Sequence, residues 1–303
     1  MTALKERHSR ISLGRLCLLF GITRQAYYQH YWQLQERSFE QELVLEQVLT
    51  IRRSHPRMGG RKLYELLEPF VLEHQIKLGR DAVFDLLSAG GLLVRRRKRS
   101  VRTTNSSHWL RKYPNLVREL IPSRSNQLWV SDITYWKIES GHLYLSLITD
   151  AYSRKIVGYR LAASLEASES VLALQMALAS WPPAPGKLIH HSDRGVQYCS
   201  SAYVELLQEH GIAISMTEKG DPLENAVAER VNGILKQEYL ECYQVESLDQ
   251  AKELLDQVVE LYNQQRPHMS IGNRMPAQLH EHNQQTEKVW KNYYTKKRTI
   301  VKQ

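Results

Sequence analysis

Three carboxylates stand where this sequence could do chemistry. Asp132 sits inside the apolar stretch WVSDITYW, Asp193 closes KLIHHSD, and Glu229 lies within ENAVAERVNGILKQE. An acid inside a strand-like run works against both β-propensity and burial, so Asp132 needs a reason beyond packing. Asp193 falls at the C-terminal end of an apolar run, where α/β sheets place their ligands. Glu229 belongs to a helical pattern running from Glu224 to Glu241, and at helical spacing it shares a face with Asn225, Asn232 and Lys236. Two strand acids and one helix acid offer the hard oxygen ligands that Mg²⁺ takes, with Mn²⁺ as a substitute. Two such ions about 3.5–4 Å apart activate an oxygen nucleophile and relieve charge on a leaving oxygen. The set therefore points to phosphodiester chemistry with two Mg²⁺ ions held by Asp132, Asp193 and Glu229.

Neighbouring residues have competing readings. Asp150, in LITDAYSR, is either a fourth ligand or a strand-end acid paired with Arg154. His190 and His191 point to opposite strand faces, so at most one can reach the site, and packing accounts for both. Asp221 and Glu224 suit a turn and a helix N-terminus. Lys236, about two turns beyond Glu229, is placed to meet a phosphate, and Asn225 on the same stripe to meet DNA.

The elements that must position these acids follow from hydrophobic periodicity. Residues 127–163 read as three antiparallel strands, QLWVSDITYWK, LYLSLITDAYS and RKIVGYRLAAS. ESVLALQMALASW is a helix, KLIHHSD a fourth strand, SAYVELLQEHG a helix and IAISMT a fifth strand. The Glu229 helix and LDQAKELLDQVVELYNQQ follow, then a loop with a short helix in RPHMSIGNRMPAQL. A meander followed by alternating helices and strands makes a mixed five-stranded α/β sheet.

Ahead of it, SLGRLCLLF, Gly21 and TRQAYYQHYW give helix, tight turn and polar helix, the helix-turn-helix pattern in which Arg24, Gln25 and Tyr28 would face a major groove. Three further helices, in 38–54, RKLYELLEPF and RDAVFDLLSAG, suggest a second such domain. Arg61 and Lys62 open its middle helix, where cations oppose the helix dipole unless a phosphate is near.

The net charge of +9 favours a polyanion. Nine cations between Leu92 and Arg118, including Arg95, Arg96, Arg97, Lys98 and Arg99, meet no acid, as in a linker that neutralises phosphates without reading sequence. No apolar run approaches the roughly 18 residues of a spanning helix, and the start lacks a signal-peptide core. The reading is a cytoplasmic, nucleoid-associated protein. The expected domains are 1–37 and 38–94 (helix-turn-helix types), 95–125 (basic linker), 126–285 (catalytic core) and 286–303 (basic tail).

WVSDITY, LITDAYSRKIVGY, HSDRGVQY, SMTEKGDPLENAVAERVNGILKQE and YNQQRPH, in this order, resemble the integrase-core transposases of bacterial insertion sequences. The likeness is strongest to insertion-sequence family three, in the product of its second reading frame. Thirty-five residues separate Asp193 from Glu229, the spacing shared with retroviral integrases. HPRMGGRKLYELL is more loosely similar to the family's helix-turn-helix element. The resemblance implies a ribonuclease-H-like core, Asp132, Asp193 and Glu229 as the catalytic triad, and Lys236 as the lysine that follows it. It also implies nicking of double-stranded DNA at terminal inverted repeats to leave a 3′-hydroxyl, which attacks target DNA directly. A homo-oligomer would pair the ends, alone or with the upstream-frame protein as partner or frameshift fusion. Where the family carries Asp before Asn-Ala, this chain carries Glu224. A nuclease that cuts without joining, or a DNA-binding regulator, is the alternative.

Overall fold

The computed structural model describes residues 10–94, 109–181, 187–218 and 224–282. The chain divides into two compact units, Met1–Ile51 with Leu67–Leu93, and Arg52–Leu66 with Val94–Gln303.

The first unit is helical. Ser12 caps α1 (Leu13–Leu19) by accepting from the Arg15 N–H at 3.3 Å. Gly21, at φ +66°, turns the chain, and the Thr23 hydroxyl accepts from the Ala26 N–H at 3.0 Å to open α2 (Arg24–Ser54). α3 (Gly60–Glu73) and α4 (Arg80–Ala89) follow, and Val44, Val48, Leu67, Val71, Val83 and Leu87 are buried. The sequence suggests two helices parted by a domain boundary at 37/38. Instead α2 runs unbroken for 31 residues, because the stretch holds neither Gly nor Pro and its middle, QLQERSFEQ, is rich in helix formers. Residues 52–66, expected in the second N-terminal domain, group with the core instead.

The second unit is built on one sheet, ordered β3-β2-β1-β4-β5. β1 (Leu128–Ile138), β2 (Gly141–Asp150) and β3 (Ile156–Ala162) form the antiparallel meander. β4 (Ile189–Ser192) and β5 (Ala213–Met216) add on in parallel. Between them come α5 (Ala167–Ala179), α6 (Val196–Cys199) and α7 (Ser201–Glu209). Then follow α8 (Ala226–Ile234), a π-helical turn at Leu235–Tyr239, a short 3₁₀ turn at Leu240–Cys242, α9 (Leu248–Gln265) and α10 (Pro276–His282). This is the mixed five-stranded α/β core read from the sequence.

Two apolar clusters hold the layers together. Trp129, Ile148, Leu174, Tyr203, Leu207 and Ile214 pack α5 and α7 against the sheet. Trp136, Leu145, Leu147, Val231, Leu235, Leu255 and Val258 pack α8, the π-turn and α9 against it. At Gly158 on β3 a Cβ would stand 2.3 Å from the Ala173 carbonyl oxygen of α5, so only glycine lets strand and helix approach this closely. Among the described residues no helix is long and apolar enough to cross a membrane.

Candidate active site

β1 and β4 lie side by side in parallel, with Val130 level with His191. Carrying that register two residues further sets Asp132 beside Asp193, at the carboxyl end of β4. Both acids line one cleft. The Asp193 carboxylate accepts from the Gly195 N–H at 2.9 Å. A Cβ on Gly195 would meet that oxygen at 3.0 Å, so the tight turn onto the acid calls for glycine.

Helix α8 is stapled to β1 by two asparagines. Asn225, just before the helix, donates its Nδ2 to the Ser131 carbonyl at 2.8 Å. Two turns on, Asn232 donates its Nδ2 to the Asp132 carboxylate, also at 2.8 Å. Glu229 lies between the two staples, exposed, with its N–H bonded to the Asn225 carbonyl.

Asp132 senses the other two acids. Burial, then the Asp193 charge, then more weakly the Glu229 charge push the Asp132 carboxyl up from 3.8 to about 7, against the Asn232 hydrogen bond that lowers it. Among the described residues, however, no three His, Cys, Asp or Glu side chains are gathered closely enough to hold one ion. Asp132 and Asp193 form a joined pair, and Glu229 stands within electrostatic reach of Asp132, outside a closed cage.

The histidines behind the pair are structural. His190 bonds the Ser131 and Tyr203 hydroxyls at 2.7 and 2.9 Å, and His191 bonds the Ser215 hydroxyl at 2.8 Å. Burial brings them down to about 3 and about 4, so both are neutral. Asp150 is fully buried and accepts from the Asn126 N–H and from the Ser153 N–H and hydroxyl. It anchors the turn after β2.

An integrase core domain model matches residues 122–222, and a second matches residues 210–276. Over 268 residues the chain is 35% identical to the uncharacterized 31 kDa protein of insertion element IS600 from Shigella sonnei, spanning 88% of this chain and 97% of that protein. It is 31% identical to a putative transposase for insertion sequence element IS986/IS6110 from Mycobacterium tuberculosis, over 73% of this chain and 80% of the relative. The chain belongs to the integrase-core transposases of insertion sequences. It is thus a DNA transposase, a polynucleotidyl transferase. At 19% identity and a TM-score of 0.41 the fold is also similar to the HTLV-2 integrase catalytic core domain in complex with magnesium, over 51% of this chain and 96% of that one.

Other residues expected on DNA are divided by the structure of the transposase. Asn225 is 6% exposed and spent on the β1 backbone, so it faces inward, not toward DNA. Lys62 is also turned in. It is 9% exposed and pairs with Glu238 at 3.6 Å, which accounts for a cation at that helix start without any phosphate. Arg61 is exposed, as are Arg24, Gln25 and Tyr28 at the start of α2. Lys236 holds its ammonium 4.0 Å from the centre of the Tyr135 ring. Arg95, Arg96, Arg97, Lys98 and Arg99, and the basic tail at 286–303, lie outside the described residues.

Sequence reasoning gave Asn232 no role of its own. Its signal was present, since it falls three residues after Glu229 and seven after Asn225 on one helix face. The single helix read from Glu224 to Glu241 is instead α8, a π-turn and a 3₁₀ turn.

Proposed function

We propose that Asp132, Asp193 and Glu229 together bind a pair of Mg²⁺ ions, with Mn²⁺ as a substitute, and that the transposase nicks inverted-repeat ends and joins the resulting 3′-hydroxyl to target DNA. The observation that carries this reading is the β1–β4 register, which sets Asp132 beside Asp193 on one cleft, with the Glu229 charge near enough to help push the Asp132 carboxyl up. Two adjacent carboxylates on one cleft, with a third acid in electrostatic reach, offer the oxygen ligands that suit a hard divalent cation. The Oδ1 of Asn232, the residue whose Nδ2 holds Asp132, is buried with no hydrogen-bond partner among the described residues. When bound, the ions supply charge neutralisation at the scissile phosphate and activation of the attacking oxygen.

The chain's own residues do the positioning. Asn232 fixes the Asp132 carboxylate, the Gly195 N–H fixes that of Asp193, and Glu229, exposed on α8, swings in to complete the set. Lys236 offers a cation to a DNA phosphate next to the cleft. Arg24, Gln25 and Tyr28 read the terminal repeat, with Arg61 and the basic run 95–99 on the backbone. Two or more copies hold the paired ends, alone or with the upstream-frame protein, in the compartment that holds the host DNA.

Full-length protein with Mg²⁺ and a labelled inverted-repeat end tests the reading. The expected result is a joined product. Cleavage without joining would make the protein a nuclease, and binding alone would make it a regulator.

A second measurement follows from electrostatics. The folded-state value of Asp132 lies above its ordinary 3.8, so its contribution to stability is complete below about pH 4 and is lost as pH rises through about 7. A cation bound by the ionised acid reverses that loss. Mg²⁺ is therefore expected to raise the melting temperature at pH 8 and by much less at pH 5.5, measured by differential scanning fluorimetry. Equal shifts at both pH values would remove Asp132 from the ion site.

A further inference from the structure

The cleft beside the acid pair is larger than ion binding requires. It has a volume of about 600 Å³, within the roughly 300–1,000 Å³ of small-ligand sites. From Asp132 and Asp193 it extends along Tyr135 and Tyr144, which face each other directly across β1 and β2, with Leu165 and Val196 also on its wall. Leu165 and Val196 are 46% and 44% exposed, an apolar surface left open next to two carboxylates. Tyr135 is set in place by the Lys236 ammonium over its ring and by an edge contact with His142 at 5.9 Å.

Two aromatic rings and an apolar wall, with the Lys236 ammonium held on the Tyr135 ring, match a flat, π-faced ligand that carries a phosphate. A volume of about 600 Å³ is on the scale of one small ligand such as a single nucleotide. Enzymes that act within duplex DNA reach a buried site by drawing a nucleotide out of the stack, and the base is then held by aromatic stacking.

We propose that this cleft receives the base of one unpaired nucleotide adjacent to the scissile phosphate, stacked against Tyr135 and Tyr144, with Lys236 on its phosphate. The subsite rests on the strand-transfer reading above and adds to it a place where the DNA end is opened. Extraction of that nucleotide would leave its phosphate at the acid pair.

Inverted-repeat ends carrying a single abasic site, moved one nucleotide at a time across the scissile phosphate, are the test. Full-length wild type, Tyr135→Leu, Tyr135→Phe and Tyr144→Leu are compared by single-turnover joining with Mg²⁺. Tyr135→Leu is expected to slow joining of intact DNA by roughly tenfold to a hundredfold, the range of one lost base–aromatic stack. One abasic position should slow wild type by a similar factor and slow Tyr135→Leu no further. Tyr135→Phe should retain the penalty at that position. Tyr144→Leu should lose it in part, and so reports on the cleft even if Tyr135→Leu fails to fold. Abasic penalties that are the same in wild type and both leucine variants at every position would overturn the subsite while leaving strand transfer intact. Absence of any joined product with wild type would instead overturn the underlying reading, and the subsite with it.

Discussion

Asp193→Asn is expected to leave affinity for an inverted-repeat end unchanged and to slow both cleavage and joining by on the order of 10³-fold, the scale of losing one preorganised electrostatic group at a reacting centre. Asparagine keeps the oxygen that accepts from the Gly195 N–H at 2.9 Å, so the turn after β4 survives. What disappears is one negative charge. That charge is the largest electrostatic cause of the raised Asp132 carboxyl, so in the variant Asp132 should titrate below about 7. Carboxyl chemical shifts followed against pH read that change directly, in a measurement independent of activity. Gel-shift titration and single-turnover kinetics read the rest. Joining near the wild-type rate would exclude Asp193 as a ligand. Loss of activity with an unmoved Asp132 would mean that the two acids do not share a site. Glu229, exposed on α8, is the matched control, since its replacement by glutamine should abolish the same two steps and leave the fold as stable as wild type.

Much of this arrangement was legible in the sequence because it rests on local rules. The strand acids stand out against apolar alternation, and the meander followed by helix–strand alternation leaves few sheets to choose from. Misplaced features depended on partners remote in sequence. Lys62 reads locally as a phosphate contact at a helix start, while its partner Glu238 lies in the π-turn beyond α8. Asn225 reads as part of a polar stripe meant for a ligand, and that stripe instead meets β1, with Asn232 on Asp132 itself. Periodicity cannot show the π-turn, because ILKQEYLEC continues a regular helical pattern through Leu235–Tyr239. The unbroken α2 is obscured for the opposite reason: the apolar repeat within 38–54 reads as a helix of its own, while the residues ahead of it carry one helix through.

The YNQQRPH motif makes the largest stability prediction. Asn263 clamps the Ile156 backbone through both its amide groups, and the Tyr262 hydroxyl donates to the Arg154 carbonyl. Arg266 is completely buried and grips Glu238 with two bonds of 2.9 Å, while Lys62 approaches the same carboxylate. Beside it the His55 ring bonds the Tyr239 hydroxyl at 2.8 Å. One acid therefore joins the RPH loop and the 52–66 segment to the π-turn that follows the Glu229 helix. Glu238→Ala leaves two cations facing each other in a buried place, and breaking such a pair costs about 3–5 kcal/mol, or roughly 10 °C in melting temperature for a unit of this size. The deficit should depend on pH. Burial and then Arg266 already bring Lys62 down to about 8, against the Glu238 carboxylate, which raises it. A lysine lowered in the fold binds fewer protons there than when unfolded, so its contribution to stability grows as pH rises from about 8 toward 10.5. Without Glu238 the lysine sits lower still, so the deficit should narrow as pH rises from that lower value to about 8 and stay narrower above it, where Lys62 is neutral in both proteins. Glu238→Leu combined with Arg266→Met, which leaves Lys62 as the one charge of the three, should be more stable than Glu238→Leu alone. Denaturant melts at pH 7 and pH 9 decide the matter, because additive single effects with no pH dependence would mean that Glu238 holds no buried cation.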